Sequence, residues 1–324
     1  MHFIHKLSII RTAVKFSAFC MPDSKLENIK NKTTGGLKMK VGIDSYCFHR
    51  LFGEVYDFQE KPERFWTVDD FLEFAKTLDV DGVSLETCFL PSLDDGYLKE
   101  LGAKLKEYGF DTVFAWGHPN GLERGLNPDA FEEMKSLIPK TRLLGTDVMR
   151  ITGSAFDWRH ENHREHIERL VPMYKEAVKI AEAHGVKLAA ENHIDYTAAE
   201  MLEIIERVDS PNFGINFDTG NFLRLLDDPV AGMEKLAPYT FSTHIKDLKM
   251  HPTAKPTDWY FFCGVPVGFG MVDNLKLAEL LHKAGYKGFL AVEIDAPAPE
   301  WLGMEEEAVA ISVKNLKKIA ANFK

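Results

Sequence analysis

Four side chains, Glu191, Asp218, His244 and Glu293, each lie near the end of a short apolar run, and the four runs are consecutive strand-like segments. Three carboxylates and one imidazole gathered at one point form a ligand set for Mn2+, Mg2+, Co2+ or Zn2+, and the oxygen majority favours Mn2+ or Mg2+. Without a cation, acids carried inward by neighbouring strands would repel one another in a poorly solvated interior. A divalent-metal site is therefore the expected chemistry of the set. Singly, each residue has a plainer reading: Asp218 as a turn residue, His244 as a satisfied core histidine, either glutamate as a helix cap or ion-pair partner. The pattern over four successive units outweighs those readings.

Such a site needs a scaffold that delivers one ligand per strand. From Met39 onward strand-like and helix-like segments alternate, with strands expected at Val41–Ser45, Gly82–Glu86, Thr112–Trp116, Val148–Thr152, Lys187–Asn192, Phe213–Asp218, Phe241–Lys246 and Gly288–Ile294. Amphipathic stretches such as Val68–Leu78 and Met173–His184 run between them. Gly109, Gly145, Gly185 and Gly285 each stand just before a strand, where a helix C-cap belongs. Eight such units predict an α/β chain with a parallel sheet and right-handed crossovers, closing into a single-domain (β/α)8 TIM barrel over residues 39–324. The C-terminal mouth of that barrel would collect the ligands. An open doubly wound sheet is the structural alternative; against it, no GxGxxG follows the first strand, which runs into Asp44-Ser45-Tyr46-Cys47-Phe48-His49. Because strand side chains alternate, Glu191 shares a face with His193, Asp218 with Asn216, His244 with Ser242 and Lys246, and Glu293 with Asp295.

Two long segments after strands, His49 to about Trp66 and His251 to about Met271, fall on the same expected face. The second carries Trp259-Tyr260-Phe261-Phe262 among glycines, an aromatic block suited to a substrate lid, to docking of another chain, or to simple packing over the barrel top. His160, His163 and His166 have helical spacing and read as a solvated helix face.

The 324 residues, 45% hydrophobic and 27% charged, suit one large globular domain. A formal charge of −10 disfavours a nucleic-acid partner and leaves a small molecule as the expected one. No apolar run approaches the roughly 20 residues of a membrane-spanning helix. Cys20, Cys47, Cys88 and Cys263 are far apart and form no CxxC, so neither a disulfide framework nor a zinc module is expected, and a reducing cytoplasm fits. Residues 1–38 carry a formal +5 that leaves the remainder at −15, and they read as an appended, disordered N-terminal extension. Arg11 and Lys15 interrupt its apolar stretches, which makes it a poor secretory or transit signal. A start at Met39 is the alternative, since Gly35-Gly36 require GGN codons where a ribosome-binding sequence would lie.

The segments Ala190-Glu191-Asn192-His193, Asn216-Phe217-Asp218-Thr219-Gly220-Asn221, Thr243-His244-Ile245-Lys246-Asp247 and Val292-Glu293-Ile294 resemble those of the xylose-isomerase-like TIM-barrel superfamily of sugar (sugar phosphate) isomerases and epimerases, across residues 39–324. The resemblance implies that Glu191, Asp218, His244 and Glu293 bind a divalent metal and that the two glutamates exchange protons with a sugar. Within the superfamily, Gly42 to Arg50, Leu85 to Leu90 and Trp259 to Phe262 are similar to the large (alpha) subunit of bacterial C-glycoside deglycosidases. That similarity implies a 3-oxo-glycoside substrate, a Mn2+-type ion, removal of the proton beside the ketone, and departure of the aglycone by elimination, in a hetero-oligomer with a small beta subunit. His193, inward beside a ligand, fits the base; orienting Glu191 is its alternative role. His118, Glu86 and Lys246, each with a structural alternative, and Asn221 are expected substrate contacts, Lys246 by neutralising an enolate oxygen. Asn221 stands where ketose epimerases of the superfamily often carry histidine, which counts against simple epimerisation. The rival readings are an isomerase or epimerase using Glu191 and Glu293, an apurinic endonuclease, which would need more histidine ligands and a less acidic chain, and a non-catalytic subunit.

Overall fold

The computed structural model describes residues 39–117 and 120–323, so the segment 1–38 and the expected substrate contact His118 lie outside the described residues. Eight parallel strands close into a barrel in the order β1 (Lys40–Asp44), β2 (Gly82–Glu86), β3 (Asp111–Ala115), β4 (Val148–Thr152), β5 (Lys187–Glu191), β6 (Phe213–Asp218), β7 (Thr240–Ile245) and β10 (Phe289–Val292). Each is a strand expected from the apolar runs; Gly82–Glu86, Val148–Thr152 and Phe213–Asp218 have the expected ends, and the others differ by one or two residues at an end. Strands β2 and β6 are buried along their whole length because one face looks into the barrel and the other meets helices.

Helices cover the outside. Val68–Thr77 begins at a reciprocal cap between Thr67 and Asp70 and buries Phe71, Leu72 and Ala75. Ala198–Val208 repeats the device with Thr197 and Glu200. The expected C-cap glycines do end their helical segments left-handed, with φ of +76° at Gly109, +80° at Gly145, +63° at Gly185 and +79° at Gly285. Met173–His184 proves to be the second half of a longer helix, His163–His184, which continues through Pro172. One expectation fails in its first turns: His166 is buried, not solvated, because Tyr196 from the loop after β5 folds over it with ring centroids 6.2 Å apart.

Near the N-terminal end of the barrel, Phe289 fills the interior against two glycines. A Cβ at Gly42 would lie 2.3 Å from Phe289 Cδ2 and 2.5 Å from the Gly82 carbonyl oxygen, so the side-chain-free position is what admits the ring. At the other end, strand register decides which side chains meet. The pairing of β6 with β7 shifts between Ile215 and Asn216, where Phe241 is skipped: Ile215 pairs with Thr240, Asn216 with Ser242 and Asp218 with His244. Without that shift Asp218 would face Thr243, whose side chain points to the opposite side of the sheet.

The long segment after β7 is not a plain loop. One residue past β7 the chain starts β8 (Asp247–Met250), which pairs antiparallel with β9 (Phe262–Val265). Asp247 closes the base, its Oδ2 accepting from Gly268 N at 2.8 Å and Gly270 N at 2.9 Å, its Oδ1 from Leu248 N at 3.0 Å and Val272 N at 3.1 Å. The aromatic block leans on the segment after β1: the Trp259 ring is 5.3 Å from Tyr56 and the Tyr260 ring 4.8 Å from Phe58. Glycines and a proline around Cys263 hid this hairpin from a periodicity argument.

Candidate metal centre

Glu191 ends β5, Asp218 ends β6, His244 is next to last in β7, and Glu293 directly follows β10. All four are buried, and one ligand atom from each lies within 4.8 Å of the other three. His244 is the hub: its Nδ1 is 2.6 Å from Glu293 Oε2, 3.4 Å from Glu191 Oε1 and 3.9 Å from Asp218 Oδ2. Burial alone would lower its pKa, but Glu293 and Glu191 outweigh burial and raise it well above the usual histidine value. Burial would likewise raise Glu191, yet His244 and Arg150 hold it well below the usual carboxylate range. Asp218 goes the other way, pushed up by burial to about 6 against the pull of Lys246.

Asp218 is aimed by its neighbours. Its Oδ1 accepts from Gly220 N at 2.8 Å and Asn221 N at 2.9 Å, and Asn192 brackets its backbone, donating to Asp218 O and accepting from Asp218 N, both at 2.9 Å. Oδ2 is left for the cluster. Asp218 Oδ2, Glu293 Oε2 and His244 Nδ1 are buried atoms outside any hydrogen bond. Their close contacts are ion pairs with one another and with Lys246, which leave hydrogen-bonding capacity unmet at a cost, and a cation at their point of convergence would satisfy them. By donor type and by placement, these residues fit a divalent ion.

A second ring of charge surrounds the four. Buried Arg150, on β4, contacts Glu86 Oε1 and lies 3.2 Å from Glu191 Oε2, while burial pushes the Glu86 carboxyl up to about 8 against that arginine's pull. Lys246 Nζ is 2.8 Å from Asp218 Oδ2 and 2.8 Å from Asp295 Oδ2. Arg224 grips Asp295 with two contacts, one of them 2.7 Å from Nη2 to Oδ1. Asn221 is shared, with its Oδ1 3.3 Å from Lys246 Nζ and 3.1 Å from Arg224 Nη1, and its Nδ2 3.4 Å from Glu191 Oε1.

Over the cluster opens a cavity of about 480 Å³ whose wall includes Tyr46, Tyr56, Phe156, His193 and Trp259, with Lys246, Glu293 and Asp295 reaching it from the barrel. Glu86, Arg150 and Asn221 also line it. The His193 ring is placed by Nδ1, 3.3 Å from Ser154 O, and by a turn in which Asp195 Oδ1 accepts from His193 N at 2.9 Å and Tyr196 N at 2.8 Å. Ile194 between them is left-handed at φ +58°, a costly conformation for a β-branched residue and one typical of functional sites. Burial lowers the His193 pKa, with Glu191 opposing.

Of the expected site residues, the structure brings Glu191, Asp218, His244 and Glu293 to one point and sets His193, Glu86, Lys246 and Asn221 around the same cavity. Asp44, whose Oδ2 is 3.3 Å from His244 Nε2, and Arg150 were not singled out. Arg150 had a signal: it is a lone charge inside Val148-Met149-Arg150-Ile151-Thr152, and an arginine on the inner face of a buried strand requires a carboxylate partner.

Residues 72–319 match the model of the xylose isomerase-like TIM barrel family, and the chain belongs to it. Among curated relatives, inosose dehydratase of Mesomycoplasma hyopneumoniae is 24% identical over 71% of this chain and 86% of its own length. The C-glycoside deglycosidase alpha subunit of Microbacterium trichothecenolyticum is 31% identical over 55% of this chain, a match spanning 46% of that protein. Among solved structures, the IOLI protein with a bound zinc atom superposes with a TM-score of 0.67 at 19% identity, over 88% of this chain and 99% of that one. The relatives are sugar-modifying TIM-barrel enzymes. No helix among the described residues is long and apolar enough to cross a membrane.

Proposed function

We propose that this protein is a divalent-metal-dependent enzyme that removes the proton alpha to a sugar carbonyl, and that its reaction is elimination of the aglycone from a 3-oxo-C-glycoside. The observation that carries the reading is a converging set of three carboxylates and one imidazole whose Glu293 lines one cavity together with His193, a histidine outside the set. Glu191, Asp218, His244 and Glu293 would hold the ion, Mn2+ by donor hardness, and when bound it would supply positive charge that favours an enolate oxygen over a ketone. His193, kept neutral by burial, takes that proton from the carbon between the ketone and the anomeric carbon. The electron pair left behind becomes the double bond to the anomeric carbon; the bond from the anomeric carbon to the aglycone breaks, and the aglycone departs with the electrons of that broken bond and takes up a proton from water, while His193 returns its own proton to solvent. Lys246 adds a second positive charge beside the growing oxyanion. Arg150, 3.2 Å from Glu191, fixes that glutamate as an ionised ligand and not as a mobile base.

A dehydratase and a deglycosidase among the relatives support elimination, and the name "alpha subunit" of the latter supports a small second subunit. Incubating a 3-oxo-C-glucoside with the protein and Mn2+ should release free aglycone. No release, together with solvent deuterium entering a free ketose, would replace this reading with an isomerase or epimerase in which Glu191 and Glu293 move the proton.

A further inference from the structure

Lys246 occupies ground that the ligand set itself needs. Its Nζ is 2.8 Å from Asp218 Oδ2 and 3.4 Å from Glu293 Oε2, two oxygens that would hold an ion, yet it is also 2.8 Å from Asp295 Oδ2, which is outside the ligand set. The residue is 3% exposed, so its charge has no recourse to water. Asp295 is immobilised by Arg224, and Asn221 Oδ1 offers the ammonium a further acceptor at 3.3 Å. The ammonium therefore has two seats, one on the ligand carboxylates and one on Asp295 with Asn221, and it already touches both.

Charge decides between them. With only protein charges present, Lys246 offsets Asp218 and Glu293, whose desolvated carboxylates would otherwise stand close together. A divalent ion at the same oxygens would add two positive charges a few ångströms from a third, in surroundings that screen poorly. The oxygens cannot favour both cations at full strength.

We propose that Lys246 is a resident counter-cation of the ligand set: it competes with the divalent ion for Asp218 and Glu293, and on loading it is handed to Asp295 and Asn221. The inference rests on the metal reading above but not on the sugar or the elimination. It makes metal affinity weaker than the four ligands alone would give, and it makes the position of the lysine report whether the ion is bound.

Titration of the full chain with Mn2+, followed by calorimetry, tests it. K246M should bind Mn2+ at least about tenfold tighter than the wild type, because a repelling charge is gone. K246R, which keeps the charge, should stay within about threefold of the wild type. D295N, which removes the second seat, should bind more weakly. A lysine that merely braced the site would give looser binding when removed, so equal or weaker binding by folded K246M overturns the proposal. Should K246M not fold, wild-type crystals soaked in Mn2+ decide: Nζ more than about 3.5 Å from Asp218 Oδ2 and still bonded to Asp295 supports the exchange, and Nζ still on Asp218 beside the ion refutes it. Failure of the wild type to bind Mn2+ or Zn2+ at all would refute the metal reading and this inference together. Binding without aglycone release would refute only the proposed reaction.

Discussion

His244 Nε2 lies 3.3 Å from Asp44 Oδ2, on the side of the ring away from the carboxylates that crowd Nδ1. Asp44 is itself fixed, its Oδ1 accepting from Tyr46 N at 2.6 Å. A carboxylate on the second nitrogen of a ligand histidine sets its tautomer and raises its basicity, and losing such a partner costs about 10–100-fold in metal affinity. Asp44→Asn should show a loss of that size by calorimetry with Mn2+; unchanged affinity would make Asp44 a core acid with no part in the site.

His193 and Asp218 should fail differently. His193→Gln removes the proposed base while sparing all four converging side chains, so it should bind Mn2+ as the wild type does and lose about 10²–10⁴ in the rate of alpha-proton exchange. Asp218→Asn should lose Mn2+ binding along with exchange. If His193→Gln also released the metal, the histidine would belong to the support of Glu191.

Asp195 predicts a pH dependence of stability. Burial pushes its carboxyl from 3.8 up to about 7, and its Oδ2 is buried without a partner. Because the folded-state pKa is the higher one, the folded chain binds more protons than the unfolded chain between those values, and this group's contribution is lost as pH rises from about 4 through about 7. Asn at 195 keeps an oxygen for the two amides and has no proton to lose. In urea unfolding with chelator present, Asp195→Asn should gain stability relative to the wild type between about pH 5 and about pH 8. The same difference at both pH values would show that Asp195 is charged throughout.

Gly42 makes a prediction about the far end of the barrel. An alanine there drives a Cβ into the Phe289 ring and the Gly82 backbone, so Gly42→Ala should cost about 1–3 kcal/mol in urea unfolding. Mn2+ affinity should not change, since the ligands sit at the opposite mouth. A loss of affinity in folded Gly42→Ala would show that the two ends are coupled.

The barrel and the convergence of the four candidate ligands were legible because apolar runs, a period of two and left-handed glycines each report on local backbone, and the four polar residues fall at equivalent ends of their runs. What lay beyond reach depends on contacts between distant strands. The skipped Phe241 that sets Asp218 opposite His244 leaves no trace in composition. Lys246 was placed on the right face of its strand, but its division between Asp218 and Asp295 depends on where Arg224 sits, on a short helix of its own. Arg150 finds its carboxylate partners, Glu86 and Glu191, only across neighbouring strands, and the turn-forming residues of the β8–β9 hairpin imitate a loop.

That hairpin has a use of its own. The stretch from Leu248 to Val272 leaves the barrel and rejoins it through backbone amides held by the single carboxylate of Asp247. Because the lobe is closed at its root, the tip from Thr253 to Phe261 lies beyond the β8–β9 pairing, so a change of its sequence or length is expected to cost the barrel strands little. A change in what the cavity admits would then need new residues in that one short passage and none in the barrel strands.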